Sequence, residues 1–555
     1  MRPSPVLRRA RTARGAVLVL VVAAGILAGC SSSSSTPSST TAAAHPATTT
    51  CTSPVPVPVR AAPVSGVPTD WSITSFDGTV IRAHWFPLDA YVPSAAPGPH
   101  PTVLMGPGWS LPGDTDTSGQ GILGALPIKD LFAAGYNVLT WDPRGFGKSG
   151  GVAEVDSPNY EAKDVSVLIN WVATLPGVQL DHPGDPRMGM VGGSYGGAIQ
   201  LVTAATDCRV DAIVPTIAWH TLPSSLDKSD TYKSGWSGIL TSLSGSDRVA
   251  PVVSDAKATA LRTGSITPAQ RAWFAARGPA QYLGGIHVPT LIVQGTVDTL
   301  FTLQEGVDNY EALRSRNVTT SMIWFCGGHG VCLTDPGNID SVEQATLTWL
   351  KHYVQRDTTA DLGTGFTFVD QNGATYAAPS WPVPLTLPFT ATGSGTLPLV
   401  STGGSGPLTV PIPNGQELGS LVAAITPAPA TNAVDVPVTI PRAGVIVGAP
   451  HLVLAYHGTA GSGTRPERVF AQLVDTSTGL VLGNQVTPVP VVLDGADHTV
   501  TLPLEMVAYT ATPASHLELQ LVATTTAYTT PRLGGSVTFS TIHLALPVST
   551  LTTTG

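Results

Sequence analysis

The segment Gly192-Gly193-Ser194-Tyr195-Gly196 constrains the fold more than any other part of this chain. It follows a short apolar run at 188–191 and precedes a stretch of small residues at 197–201. A strand, a sharp turn and a helix in this order are the setting of a Gly-x-Ser-x-Gly nucleophile elbow. Glycines permit the strained turn and let the strand and the helix pack closely. The sequence therefore predicts an exposed serine hydroxyl at the end of a sheet strand, with a plain Gly-rich turn as the alternative.

Strand-like and helix-like segments alternate on both sides of this elbow. A hairpin is predicted at Asp77-Gly78, with strands near 102–105, 137–140, 187–191, 210–217 and 289–293 and helices near 128–134 and 160–175. This order predicts a mostly parallel sheet covered by helices, which is the α/β class. The strand pattern lapses between about 218 and 285, where we expect a helical lid inserted over the site.

The pattern of apolar and polar residues changes from about residue 384. Apolar and polar residues alternate with a period of two in segments such as 452–456, 517–521 and 542–546. Such short strands with Gly, Pro and Asp turns are typical of an antiparallel β-sandwich. We therefore predict an α/β-hydrolase catalytic domain at 67–383, with its lid at about 218–285, and an all-β sandwich domain at 384–555.

The N-terminus has the pattern of a secretory signal. Five arginines within the first 14 residues precede an apolar stretch, Ala16 to Ile26, that is too short to cross a bilayer comfortably. Leu27-Ala28-Gly29-Cys30 resembles the bacterial lipoprotein cleavage box, in which Cys30 becomes the lipidated first residue. An ordinary signal peptide with a chance cysteine is the alternative. We predict a signal peptide at 1–29 and a flexible tether at 30–66 that holds the folded body away from the membrane surface.

Charge and cysteine content narrow the function classes further. The net charge is −9 and no long basic cluster follows the N-terminus, so a nucleic-acid partner is excluded. An export compartment permits disulfides, and the four remaining cysteines allow three pairings. Cys326 and Cys332 bracket a Gly-rich loop, which favours that pair; Cys208 is a candidate buried thiol and Cys51 lies in the predicted tether. No cysteine spacing indicates a structural zinc site.

A serine hydroxyl becomes a good nucleophile only when a base accepts its proton and a third group holds that base. In this fold the chain order is serine, then acid, then histidine. Asp298 follows the buried strand 291–295, and His329 lies in a Gly-rich loop after the strand 322–325. The carboxyl ends of parallel strands meet at one edge of the sheet, which is where such sheets place their sites. The sequence therefore predicts a catalytic triad of Ser194, Asp298 and His329 that needs no metal or organic cofactor.

Each member of this triad has a simpler alternative. Asp298 is also a suitable turn-forming residue, and His329 is also a suitable surface-loop histidine. Asp142, which follows another strand, is expected to brace its own loop. For the oxyanion we predict the backbone N–H of Tyr195 as one donor. The second donor is expected in the loop 106–110, from the amide of Gly108 or Trp109 or from the Trp109 indole, with an ordinary turn as the alternative.

With these motifs the chain resembles the X-prolyl dipeptidyl-peptidase and cocaine esterase family of serine hydrolases. The resemblance covers most of residues 70–555. It includes Asp142-Pro143-Arg144-Gly145, the elbow, Asp298, His329 and C-terminal motifs such as Leu473-Val474-Asp475. It implies that the lid shapes an acyl or peptide pocket. It also implies that the sandwich is jelly-roll-like and packs against the catalytic domain without supplying the triad.

Two features depart from that family's pattern. Relatives commonly place a tyrosine after the strand at 102–105, where this chain has Trp109. The lid shows no clear acid for a substrate's amino terminus; Asp227 and Asp230 are candidates, although acids in a polar lid are usually solvated.

We predict a lipid-anchored serine hydrolase that acts on small esters or short peptides, Xaa-Pro dipeptides included. A carboxylesterase or cell-envelope acyltransferase without peptidase activity, and a non-catalytic surface binding protein, are the alternatives. The sequence leaves the oligomeric state open.

Overall fold

The structure, a computed structural model, describes residues 51–119, 126–338, 340–409 and 419–554. The predicted signal peptide, Cys30 and the first part of the predicted tether lie outside these ranges. The tether prediction is wrong in its last part, because Val55 is buried and residues 61–63 form a strand of the main sheet. Within the described ranges, no helix is long and apolar enough to cross a membrane.

The catalytic part of the chain contains ten α-helices, two 3-10 turns (Pro279–Gln281 and Leu283–Gly285) and fifteen strands among the described residues. Its helices are α1 (Leu88–Tyr91), α2 (Ile128–Ala133), α3 (Glu161–Val172), α4 (Tyr195–Thr206), α5 (Leu222–Leu226), α6 (Ser234–Ser244), α7 (Pro251–Thr263), α8 (Pro268–Ala275), α9 (Leu303–Arg314) and α10 (Ser341–Tyr353). Its strands are β1 (Ala61–Pro63), β2 (Asp70–Thr74), β3 (Val80–Phe86), β4 (Thr102–Met105), β5 (Asn137–Trp141), β6 (Leu180–His182), β7 (Asp185–Pro186), β8 (Met188–Gly193), β9 (Ala212–Thr216), β10 (Asp227–Lys228), β11 (Thr231–Tyr232), β12 (Thr290–Gly295), β13 (Thr320–Phe325), β14 (Phe366–Val369) and β15 (Thr375–Ala378).

Eleven of these strands form one sheet in the order β1-β2-β3-β5-β4-β8-β9-β12-β13-β14-β15. The interior pairs from β5 to β14 are parallel, whereas the outer pairs are antiparallel. Every residue of β4, β5, β8, β9 and β12 is buried, as expected for parallel strands with helices on both faces. The predicted α/β class is therefore confirmed.

The lid is the helical insertion between β9 and β12, and it contains α5 to α8. Local sequence sets the helix ends: Thr267 and Gln270 form a capping box before α8, and Gly264 ends α7 in a left-handed conformation. A helical lid was predicted here, whereas the bounds of its helices were not.

The C-terminal part is all-β, as predicted, apart from one short α-helix and one 3-10 turn. Its elements are β16 (Phe389–Pro398), α11 (Gly419–Ala423), β17 (Ala433–Pro437), β18 (Gly444–Gly448), β19 (His451–Ala460), β20 (Arg468–Asp475), β21 (Leu480–Val481), the 3-10 turn Leu482–Asn484, β22 (Thr487–Pro490), β23 (His498–Pro503), β24 (Val507–Ala511), β25 (Leu517–Val522), β26 (Gly535–Leu546) and β27 (Val548–Ser549). Antiparallel sheets β16-β26-β19-β23 and β17-β25-β20-β21 enclose a core in which Leu452 and Leu454 lie opposite Leu544 and Ile542.

The sandwich shares apolar packing with the catalytic domain. Val445, Val447, Met506 and Ala508 belong to the same buried cluster as the interior of the sheet domain. This packing brings the turn between β21 and β22 against the loops that follow β12 and β13.

Candidate active site

The elbow motif is explained by the close approach of two loops. Ser194 lies between β8 and α4 with φ 58° and ψ −117°, and its N–H donates to the Thr216 carbonyl at 2.9 Å. A Cβ atom at Gly196 would lie 2.0 Å from the Gly106 carbonyl oxygen, and Gly192 has φ +140°. Glycine is therefore required on both sides of the serine, and the strained turn presents the serine side chain at the sheet edge.

The structure brings the three predicted triad residues together. His329 Nε2 lies 2.8 Å from Ser194 Oγ, and His329 Nδ1 lies 2.8 Å from Asp298 Oδ2. Ser194 is 6 % exposed, His329 9 % and Asp298 fully buried. These distances are within hydrogen-bonding range for proton transfer from the serine and for orientation of the imidazole.

Backbone groups hold the acid in place. Asp298 Oδ1 accepts hydrogen bonds from the N–H groups of Leu300 at 2.9 Å and Phe301 at 2.8 Å. Oδ2 also accepts the His329 N–H at 3.1 Å. The turn after β12 therefore fixes one carboxylate oxygen, and the other is left to orient the histidine.

Aromatic rings fix the plane of the histidine. The Phe301 ring lies edge-on to His329 with centroids 5.0 Å apart, and the Trp236 ring of α6 does so at 5.7 Å. The Trp236 indole N–H donates to Thr299 Oγ1 at 3.0 Å. The lid thus contributes to the position of the base as well as to the space in front of it.

The predicted oxyanion donors have different environments. Tyr195 is the first residue of α4, so its N–H has no intrahelical partner and lies beside Ser194. The Trp109 indole N–H instead donates to the Leu240 carbonyl of the lid at 3.0 Å, so the indole alternative for the oxyanion is wrong. A backbone N–H of Gly108 or Trp109 stays a prediction.

A cavity opens between Ser194 and the lid, and we call it the lid cavity. Its volume is about 70 Å³. Twelve of its fifteen lining residues are apolar or aromatic, and none is charged. They are Trp109, Val155, Ser194, Tyr195, Trp219, Leu222, Leu226, Tyr232, Ser237, Leu240, Thr241, Val253, Phe274, Leu300 and Phe301.

Polar atoms in the lid cavity wall bond to the protein itself. The Tyr232 and Ser237 hydroxyls are 2.5 Å apart, and Thr241 Oγ1 donates to the Ser237 carbonyl at 2.7 Å. The two acids considered as amine anchors are turned elsewhere, because Asp227 and Asp230 both pair with Arg271. Neither acid lines the lid cavity.

A buried acid pair lies behind the nucleophile, and the sequence analysis missed it. The Tyr195 hydroxyl lies 3.4 Å from Glu161 Oε1 and accepts the Asp156 N–H at 3.3 Å. Burial raises the pKa of Glu161 to about 7, and burial beside Glu161 raises the pKa of Asp156 well above its usual range. Asp156 lies in the loop before the predicted helix at 160–175 and Glu161 lies at its start, so no local pattern marks them as a buried pair.

The remaining predicted residues are placed as follows. Asp142 Oδ1 accepts the Gly113 N–H at 2.8 Å and Oδ2 accepts the Lys148 N–H at 2.6 Å, so this acid braces its loop. Cys326 and Cys332 form a disulfide on either side of His329. Cys51 and Cys208 form a second disulfide, so the free-thiol alternative for Cys208 is wrong. Cys51 carried no local signal of this pairing.

An elbow serine, a histidine and an acid at the carboxyl edge of a largely parallel sheet, under a helical lid, define a serine hydrolase of the α/β-hydrolase fold. Residues 77–330 match the family model described as X-Pro dipeptidyl-peptidase (S15 family). This match covers under half of the chain, and it confirms the resemblance drawn from the motifs.

Solved structures share the fold over nearly the whole chain. A CocE/NonD family hydrolase from Staphylococcus aureus superposes with a TM-score of 0.60 at 12 % identity, covering 90 % of this chain and 99 % of that chain. An aminopeptidase from a marine sediment Thaumarchaeota archaeon gives a TM-score of 0.54 at 12 % identity, with 92 % and 99 % covered. At this identity the likeness concerns the fold alone.

Curated relatives match over shorter segments. A thiohydrolase from Arthrinium phaeospermum is 29 % identical over 142 residues, which is 25 % of this chain. The chain spans 28 % and 39 % of the lengths of the two curated relatives it matches.

Proposed function

We propose that this protein hydrolyses esters of apolar, uncharged acyl groups through an acyl-enzyme on Ser194. The observation that carries the proposal is the lid cavity, because its wall includes Ser194 and contains no charged side chain. Apolar surface gives a binding free energy of about 0.8 kcal/mol for each buried CH₂ group. An acyl chain seated there is held without a specific polar contact, which leaves its carbonyl at the serine.

The triad supports the chemical steps. His329 Nε2, 2.8 Å from Ser194 Oγ, accepts the hydroxyl proton as the oxygen attacks the carbonyl carbon. The same proton then passes to the leaving alcohol, and a water molecule resolves the acyl-enzyme by the reverse transfer. Asp298 orients the ring and stabilises the imidazolium, while the Tyr195 N–H donates to the oxyanion.

The family match favours a second candidate, cleavage of Xaa-Pro dipeptides. That reaction requires a counter-charge for the substrate's free ammonium group. Asp227 and Asp230, the two acids proposed for this role, are paired with Arg271. The lid cavity therefore favours the ester over the dipeptide.

The test is a side-by-side assay of two substrates on residues 51–555. A short-chain p-nitrophenyl ester should be cleaved, and lengthening its acyl chain should raise kcat/KM about threefold to fourfold for each CH₂ that the cavity accepts. Ser194→Ala should abolish this activity. Cleavage of an Xaa-Pro p-nitroanilide with a higher kcat/KM than any ester would replace the proposal with the second candidate.

We also propose that the protein is exported and anchored to the membrane through lipid on Cys30. The lipoprotein-like segment and two disulfides, which require an oxidising compartment, support this localisation. In a bacterial host grown with an alkyne-labelled fatty acid, the wild type should carry the label and sediment with membranes. Cys30→Ser should lose both properties; label retained by Cys30→Ser would contradict the proposal.

A further inference from the structure

The β-sandwich contacts the loops that carry the acid and the base of the triad. The contacts come from the turn between β21 and β22, where Asn484 is 2 % exposed and Gln485 is 8 % exposed. We call the buried polar contact of Asn484, Gln485, Glu505, Gln371 and Lys233 with these loops the sandwich junction.

Two consecutive side-chain amides reach the two loops separately. Gln485 Nε2 donates to the backbone carbonyl of Asp298 at 2.7 Å. Asn484 Nδ2 donates to the carbonyl of Val331, two residues beyond His329, at 2.9 Å. One amide therefore holds the loop of the acid and its neighbour holds the loop of the base.

The backbone of this turn has a conformation that orients the Asn484 and Gln485 side chains. Gly483 and Asn484 both have left-handed backbones, with φ 64° and φ 54°. The Gly483 N–H donates to Gln371 Oε1 at 2.7 Å, and Gln371 Nε2 donates to the Val481 carbonyl at 3.2 Å. The Gln371 amide thus ties the first half of the turn to the catalytic domain, just before the two amides.

A buried ion cluster supports the same loop from the lid. Lys233 Nζ donates to the carbonyls of Thr299 at 2.9 Å and Leu300 at 3.0 Å. With the Asp298 carbonyl, three consecutive carbonyls of the acid's loop receive donors from outside that loop. Burial lowers the pKa of Lys233 to about 8, and the neighbouring carboxylate of Glu505 opposes this shift.

Glu505 links the sandwich junction to the lid and to the start of α9. Its Oε2 accepts the Thr302 hydroxyl at 2.9 Å, and its Oε1 lies 2.6 Å from Lys228 Nζ. A buried carboxylate of the sandwich therefore meets a lysine of the lid and the residue that precedes α9. Directional bonds of this kind fix distances that apolar packing alone leaves adjustable.

We propose that Gln485 and Asn484 are positioning residues of the active site, through which the sandwich domain sets the placement of Asp298 relative to His329. This inference rests on the proposed function for its reaction. A displacement of about 1 Å at a catalytic group reduces rate on the order of a hundredfold, so small shifts of these loops are measurable.

The experiment compares Gln485→Met with Gln472→Met in the protein of residues 51–555. Methionine keeps the length of the side chain and removes the amide. Gln472 is a matched control, because it is buried in the same domain and donates to Ala428 and Gln520 rather than to a triad loop. Ester kcat and KM, the rate of Ser194 labelling by a fluorophosphonate, and the thermal midpoint are measured for each.

Gln485→Met should lower kcat by about tenfold or more and slow the labelling by a similar factor, with KM changed less than about twofold. Gln472→Met should keep wild-type kcat even if its midpoint falls as far. Equal kcat losses in the two variants, or a wild-type kcat in Gln485→Met, would overturn the inference.

Labelling also separates the two proposals. A wild type that is labelled but does not cleave the ester contradicts the proposed substrate and leaves the labelling rates to decide the inference. A wild type that is neither labelled nor active overturns both. If Gln485→Met does not fold, Asn484→Gly, which keeps the left-handed backbone and removes the second amide, should show the same fall in kcat at constant KM; an unchanged kcat would overturn the inference.

Discussion

The two sides of the triad differ in the interactions they offer. In front of Ser194, the lid cavity has no charged lining residue, and the hydroxyls of Tyr232, Ser237 and Thr241 bond to one another or to the lid backbone. At the loops of Asp298 and His329, the sandwich junction is polar, with three amides, a carboxylate and a lysine contributed by the lid, all buried. Apolar contact tolerates variation in the bound group, whereas hydrogen bonds fix the loops that carry the catalytic side chains. The site can therefore accept different apolar groups on the substrate side, while the protein holds the catalytic loops in one arrangement.

The largest loss of kcat is expected from a change at Asp298, the acid of the triad. Asp298→Asn removes the charge that holds the imidazole in the correct tautomer. Its Oδ1 stays with the Leu300 and Phe301 N–H groups, so its amide NH₂ donates to His329 Nδ1 and leaves the ring proton on Nε2. We expect kcat to fall about 10⁴-fold with the fold retained. Ester kinetics and circular dichroism check this result. A loss below about tenfold would mean that Asp298 does not act on His329.

The second prediction places a charge on the apolar side. Leu240→Asp puts a carboxylate into the lid cavity, which should lower kcat/KM for an apolar ester roughly 10- to 100-fold because the charge resists burial. Leu243→Asp, at a 45 % exposed position of the same helix, is the control and should have little effect. Equal losses in both variants would show that the cavity does not hold the acyl group.

The two disulfides should affect different properties. One should affect the position of His329, and the other the stability of the fold. Cys326→Ser with Cys332→Ser opens a short loop around His329, so we expect kcat to fall severalfold. Cys51→Ser with Cys208→Ser opens a link across 157 residues, far larger than the separation of 6 in the other pair. It should lower the free energy of unfolding by up to about 5 kcal/mol and leave kcat unchanged. Matched kinetic and denaturation measurements distinguish these outcomes, and the opposite assignment would contradict them.

The smallest effect on activity is expected at the acid pair behind Tyr195, the residue that also lines the lid cavity. The pKa of Glu161 is raised from 4.5 to about 7, so its proton stabilises the folded state below pH 4.5. That stability is lost as the pH rises through about 7. Glu161→Gln keeps a neutral side chain, so its free energy of unfolding should decline less over this range, by up to about 3 kcal/mol. Denaturation at pH 4.5, 6 and 8 checks this, and parallel pH curves would contradict it.

Most of the fold could be predicted from the sequence because its signals are local. The elbow, the strands that end before Asp298 and His329, and the alternation in the sandwich each occupy a few consecutive residues. The contacts of Asn484 and Gln485 could not be predicted, because their partners lie 153 and 187 residues away. The end of the tether was misjudged for the same reason: a Thr-, Ala- and Pro-rich composition conceals a strand that forms only by pairing with β2.

The Cys51–Cys208 disulfide also fixes the place of residue 51 relative to the nucleophile. Cys208 lies two residues beyond the last residue of α4, and Ser194 directly precedes the first. A helix of 12 residues is about 18 Å long, so the Cys51–Cys208 disulfide and the nucleophile lie at opposite ends of α4. Residue 51 is therefore tied covalently to the end of α4 that lies farther from the nucleophile.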